Sequence, residues 1–328
     1  MKKKVIYIVI IVIVLIAAIL FYSFRDNSES EKQLTIGGSN PGGTAYIVGT
    51  AYAQIINKYV PGVNVTHEVT AGGKENIELT SSGETDFGCG MSAFLYEAYN
   101  GMGNYKEDAR ENLCGIIPWF KYPMHIVVRK DSGINKISDL KNKKISINVK
   151  GSGGYKAATE VLSTLGLFEN KDYEAYYLSF EEATDEMKLG NIDAIFINTS
   201  APVPAVMSMG TYIDFEILNF SDKEIDLITK KYPYYTKGIL KAGTYEKVQY
   251  DVNTLTSYTI LFANSQISED IVYDIVKAIW EHKDELVIAH SSQANLDEQL
   301  VKDSILNVAP IHEGAKRFYK EIGIIKGE

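Results

Sequence analysis

From Leu34 onward, short runs rich in branched and aromatic residues alternate with stretches whose apolar positions recur at helical spacing. The run "LTIGG" passes through the loop "SNPGG" into a segment where Ile47, Ala51 and Ile55 share a face. This predicts a helix from about residue 44 to residue 59, with Thr44 as its N-cap. The run "ISINVK" likewise passes through "GSGG" into a helix from Tyr155, with Ala158, Val161, Leu162 and Leu165 as its apolar stripe. Three weaker copies of the same unit follow the same order of strand, small polar loop and helix: "VNVTHEVTAGGKEN", "DFGCGMSAFLYEAYNG" and "DAIFINTSAPVPAV". Such alternation predicts α/β architecture with mostly parallel sheets.

Loops of this kind are candidate binding elements. At the carboxyl ends of parallel strands glycine lets a ligand approach the backbone, and the unpaired N–H groups of the next helix attract negative charge. Ligands of open α/β sheets occupy that crevice. A single Gly-rich loop is equally well explained as a tight turn, but five loops of Gly, Ser, Thr and Asn predict that several converge on one ligand.

Length then sets the organisation. A chain of 328 residues exceeds one ordinary core and fits two lobes. With 45% hydrophobic and 23% charged residues and a mean hydropathy of −0.09, it has the balance of a globular protein. The net charge is −9, but the first 25 residues hold four basic and no acidic groups. The remainder carries 29 basic against 42 acidic residues, a net of −13. So acidic a body repels nucleic acid and anionic lipid, and an anionic ligand must be caught by local dipoles or single cations. Cys89 and Cys114 lack C-x-x-C spacing and are expected to be reduced and structural. The five histidines are scattered, so neither a metal nor another cofactor is implied.

The amino terminus assigns the compartment. After Lys2, Lys3 and Lys4, residues 5–24 contain no charge. Twenty helical residues span roughly 30 Å, the thickness of a bilayer's hydrocarbon core. The basic cluster stays cytoplasmic and the rest is exported. The exit "ILFYSFRDN" has no small-residue cleavage pattern and no cysteine follows it, which favours an uncleaved anchor over a cleaved signal peptide. Residues 25–32 read as a polar tether.

Enzymatic signatures are missing from the motifs. "AGGKEN" has Glu75 where a P-loop needs Ser or Thr, "GGSNPGG" lacks dinucleotide-binding spacing, and no G-x-S-x-G elbow occurs. Ser152 lies among glycines with no histidine near it in sequence, and Glu181 and Glu182 read as an exposed helix face. The chain is expected not to be an enzyme.

Several stretches resemble, in family order, the TAXI family of extracytoplasmic solute receptors that serve TRAP-type secondary transporters. They are "TIGGSNPGGTAY", "VTAGGKENIELTSSGETDFG", "VVRKDSGINKISDLKNKKISINVKGSGGYKAA", "MKLGNIDAIF", "YPYYTKGILKAGTY" and "IHEGAKRFYKEIGI". The resemblance implies a type II periplasmic-binding-protein fold with two α/β lobes and a ligand cleft between them. Crossing strands are expected near "PMHIVVRK" and "NTLTSYTILFAN". Residues 33–128 and 252–328 would form the first lobe and residues 129–251 the second. Carried over by position, the cleft falls on Gly43, Thr44, Tyr46, Gly73, Asn76 and Ser92 from the first lobe. Ser152, Gly153, Gly154, Asn198 and Ser200 would face them from the second. These are amides, hydroxyls and backbone N–H groups, suited to a carboxylate or an amino acid. Trp119, Phe120 and Tyr122 either line the cleft or pack in the core. The implied protein is a monomer that delivers its solute to TRAP membrane subunits and performs no chemistry on it. A ligand-sensing module for a membrane signalling protein is the alternative.

Overall fold

The computed structural model describes residues 31–39, 41 and 44–326. The predicted anchor at 5–24, most of the tether and Gly43 lie outside the described residues. Among those described, no helix is long and apolar enough to cross a membrane.

The chain begins with β1 (Lys32–Gly37), α1 (Thr44–Tyr59), β2 (Val63–Glu68), α2 (Gly73–Ser82), β3 (Phe87–Met91) and α3 (Ser92–Tyr99). A 17-residue strand, β4 (Leu113–Arg129), leads to β5 (Lys144–Ser146), α4 (Gly153–Thr164), β6 (Glu174–Tyr176), α5 (Phe180–Lys188) and β7 (Ala194–Asn198). Next come α6 (Pro204–Met209), β8 (Phe215–Ile217), α7 (Asp222–Lys231) and β9 (Thr236–Leu240), before the long β10 (Val252–Asn264). Four helices close the chain: α8 (Glu269–Glu281), α9 (Lys283–Ala289), α10 (Glu298–Ser304) and α11 (Glu313–Glu321).

The strands form one sheet in the order β2-β1-β3-β10-β4-β7-β5-β6, with β8 beside β4 and β9 beside β10. Pairing is parallel inside each half, for β1 with β2 and β3 and for β5 with β6 and β7. The joins are antiparallel. Residues 113–123 of β4 pair with β10, and residues 124–129 turn to β7 and β8, so one strand serves both halves. β10 does the same, pairing with β3 and β4 along one stretch and with β9 along another.

Local sequence accounts for most elements. β3 (FGCGM) and β7 (AIFIN) are buried at every residue, as strands covered on both faces must be. Capping boxes start α5 (Ser179 with Glu182) and α7 (Ser221 with Glu224), each satisfying two otherwise orphan N–H groups. On α1 the buried face runs through Val48, Tyr52, Ile55 and Ile56. Ile47, expected on that face, falls off its edge at 40% exposure. In α4, Ala158, Val161 and Leu162 are buried as predicted, while Leu165 caps the helix instead of continuing the stripe. Trp119 and Phe120 are fully buried and pack in the core. Both cysteines are free and buried.

Candidate functional site

β1, β3, β5 and β7 all end at the same cavity, of about 280 Å³. Gly38 and Ser39 follow β1, Cys89 to Met91 end β3, Asn148 follows β5, and Asn198 and Thr199 end β7. The two long strands supply Tyr122 and Thr259 from the middle of the sheet, and Phe94 and Phe180 add apolar walls.

Helix starts bring backbone donors to this space. Gly73 begins α2, behind a Gly72 cap at φ 105° that makes no side-chain capping bond. Ser152 caps α4, its Oγ accepting the Tyr155 N–H at 3.1 Å, and Gly153 and Gly154 form the first turn. These first-turn N–H groups have no partner within their helices and carry the positive end of the dipole. A positive φ explains Gly72, and close approach explains Gly73. A Cβ on Gly73 would stand 2.9 Å from the Gly90 Cα, so backbone meets backbone where α2 abuts β3.

Among the described residues, the cavity lining contains no Lys, Arg, His, Asp or Glu. One side-chain donor in it is Asn198, 7% exposed. The Asn198 Oδ1 accepts the Ser257 hydroxyl at 2.9 Å, whereas its Nδ2 is buried without a partner among the described residues. Asn148, held at φ 68°, uses its Nδ2 on the Phe196 carbonyl at 2.8 Å. The Cys89 thiol also reaches the lining, but burial pushes its pKa up to about 12. It is a protonated, unreactive group, donating weakly to the Gly38 carbonyl at 3.5 Å.

Of the residues singled out from sequence, Gly73, Ser152, Gly153, Gly154 and Asn198 meet at this cavity. Thr44, Tyr46, Asn76, Ser92 and Ser200 do not line it. Asn76 lies wholly behind the wall, where its Nδ2 donates to the Gly38 carbonyl at 2.7 Å and the Cys89 carbonyl at 2.8 Å. It ties the ends of β1 and β3 together and so shapes the cavity without facing it. Ser92 is also fully buried and makes a long 3.5 Å bond to the Tyr234 carbonyl. Thr44 is the first residue of α1, and Tyr46 tilts its ring over His67 at 5.2 Å. Ser200 is half-buried beside Thr199, its Oγ without a partner among the described residues. Sequence reasoning missed Met91, Phe94, Asn148, Phe180 and Thr259. Only Asn148 carried a signal, as an Asn between a strand and a Gly-rich helix start, where a left-handed residue is tolerated. Lys74, Lys121 and Lys150, cations adjacent to these elements, are exposed, and the Lys74 ammonium sits 5.5 Å from the centre of the Phe94 ring.

Solved structures with related chain traces include XAC2383 from Xanthomonas citri bound to ATP, which is 11% identical. That match covers 88% of this chain and 99% of the other at a TM-score of 0.53. A putative periplasmic sulfonate-binding protein, SsuA, of an ABC transporter from Methylobacillus flagellatus KT is 18% identical. It covers 92% and 90% of the two chains at a TM-score of 0.50. A TRAP periplasmic solute-binding protein from a Polaromonas species, bound to D-erythronate, is 17% identical over 91% and 100% at a TM-score of 0.43. At such identities the first two likenesses show the fold alone, which is that of the α/β periplasmic binding proteins. The family model described as NMT1-like matches residues 36–323, and the chain belongs to that NMT1-like family.

Proposed function

We propose that this protein is an extracytoplasmic solute receptor of a transporter, capturing a small carboxylate or amino acid in the cavity at the strand ends. One observation carries the reading: a cavity whose described lining holds no Lys, Arg, His, Asp or Glu, bordered by helix starts and by the Asn198 Nδ2, which has no partner among the described residues. Such a site favours an anion through aligned N–H groups and neutral donors, and it holds the solute without transforming it. A cavity of about 280 Å³ suits a molecule of amino-acid size.

In this reading residues 33–128 with 252–328 form one lobe and residues 129–251 the other. β4 and β10 are the connections that bend when the cleft opens. The resemblance of "TIGGSNPGGTAY", "VTAGGKENIELTSSGETDFG" and "GSGGYKAA" to TAXI receptors supports a TRAP-type membrane partner. Residues 5–24 supply the membrane attachment.

The test is a thermal-shift screen of the exported portion against amino acids and small carboxylates, followed by calorimetry. A ligand at about 100 times its Kd stabilises the folded state by roughly 2.7 kcal/mol, a melting shift of several degrees. Absence of any shift across both classes overturns the ligand assignment. Chemical conversion of a bound solute overturns the receptor reading.

A further inference from the structure

Beside the ligand cavity, and sharing Phe94 and Ser152 with it, lies a second void of about 310 Å³ between the α2–α3 region and α4. Its wall holds a charge cluster that the solute-binding reading does not use. The Lys156 ammonium, one turn into α4, bonds the Glu160 carboxylate at 2.5 Å and also the Glu97 carboxylate on α3. All three side chains are largely buried, at 18%, 11% and 22% exposure for Lys156, Glu160 and Glu97. Glu160 is fixed further by the Tyr234 and Tyr235 hydroxyls, which donate to its two oxygens at 2.8 and 2.6 Å.

We propose that Lys156 is a positioning residue for solute capture, bridging α4 to α3 so that the Gly153–Gly154 helix start is held against the cavity. This rests on the reading of the cavity as a cleft between two lobes.

Two features favour a releasable tie over a permanent one. Glu160 belongs to Lys156's own helix, at i+4, so parting from Glu97 never leaves the ammonium without a counter-charge. Glu97 lines the void and regains water as the cleft opens. The pair therefore adds to the closed state without a large desolvation barrier to opening. Burial by itself lowers the Lys156 pKa, but Glu160 and then Glu97 outweigh it and leave the value raised, so the bridge is intact throughout the neutral range. The tie also stands at a point of tight contact. A Cβ on Gly153 would fall 2.1 Å from the Met91 Sδ, so the α4 start and the end of β3 are already close-packed a turn away. Tyr96 lies on the same α3 and meets the Tyr234 ring at 5.2 Å, extending the contact between the halves.

The test uses Glu97→Gln, Lys156→Met, their double variant and Lys156→Arg. In the ligand-free protein, amide hydrogen exchange in residues 96–99 and 156–160 should quicken in Glu97→Gln while exchange in β1 and β7 is unchanged. The double variant should be no faster than Lys156→Met alone, and Lys156→Arg should restore protection. With L-glutamate as probe, the release rate should rise roughly two- to fivefold, with the association rate nearly constant. Unaltered exchange in Glu97→Gln, or additive effects in the double variant, overturns the bridge. If the wild type does not bind L-glutamate, the exchange experiment still decides this proposal, and the ligand assignment alone is in question.

Discussion

Asn198 offers the most direct measurement of what the cavity accepts. Its Nδ2 is buried and has no partner among the described residues, a state that costs roughly 1 to 3 kcal/mol for a neutral donor. Its Oδ1 meanwhile satisfies the fully buried Ser257 hydroxyl. Asn198→Ala removes the idle donor and orphans that hydroxyl, two effects of opposite sign and similar size. The ligand-free stability should therefore change by no more than about 1 kcal/mol. Affinity behaves differently. A bond from Nδ2 to a carboxylate contributes about 1.5 to 3 kcal/mol, so its loss raises Kd roughly ten- to 150-fold. Asn198→Asp sharpens the sign, because it keeps the acceptor for Ser257 and places a carboxylate where the donor was. For an anionic solute, binding should be lost altogether, and for a cationic one it should improve. The assays are calorimetric titration and thermal unfolding of the three proteins side by side. Unchanged affinity in Asn198→Ala, or tighter binding in Asn198→Asp, would refute an anion site built around this amide.

Other expectations follow from burial and close contact. His125 is buried on β4, paired with Ile197 of β7, where desolvation pulls its pKa down to about 4, against an ordinary 6.5. It is neutral when folded and takes up a proton when unfolded, so its contribution is complete above pH 6.5 and is lost as pH falls towards 4. The loss is about 3 kcal/mol, and the unfolding free energy between about pH 7 and pH 4 should fall by about that much less in His125→Gln than in the wild type. A Cβ on Gly154 would come within 2.7 Å of the Asn148 Cγ, whose amide is committed to the Phe196 carbonyl. Gly154→Ala should thus cost about 1 to 3 kcal/mol without ligand as well as weaken binding, and an unchanged Tm would show the contact to be slack. Mass spectrometry of protein from native membranes should recover the peptide containing residues 5–24. A mature chain starting after residue 25 would mean a cleaved signal instead.

Where periodicity and local chemistry agree, the sequence sufficed. The alternation of strand, Gly-rich loop and amphipathic stretch reads directly as β1 with α1 and as β5 with α4, because helix and strand periods are properties of neighbours in the chain. Gly73 and the 152–154 run were legible for the same reason, as small residues at a strand end followed by a helix start. What the sequence could not rank was which polar side chain at those loops faces the ligand and which faces inward. Asn76 and Asn198 look alike in sequence. Yet Asn76 finds two carbonyls, on Gly38 and Cys89, because β1 and β3 are adjacent in the sheet, whereas Asn198 meets the Ser257 hydroxyl of β10 through Oδ1 and its Nδ2 finds no partner among the described residues. Met91, Phe94, Phe180 and Thr259 likewise join one cavity only through sheet order, and Glu97 meets Lys156 only when α3 and α4 are brought together. The Asn198–Ser257 and Glu97–Lys156 contacts each join residues 59 positions apart in the chain, and no local pattern encodes them.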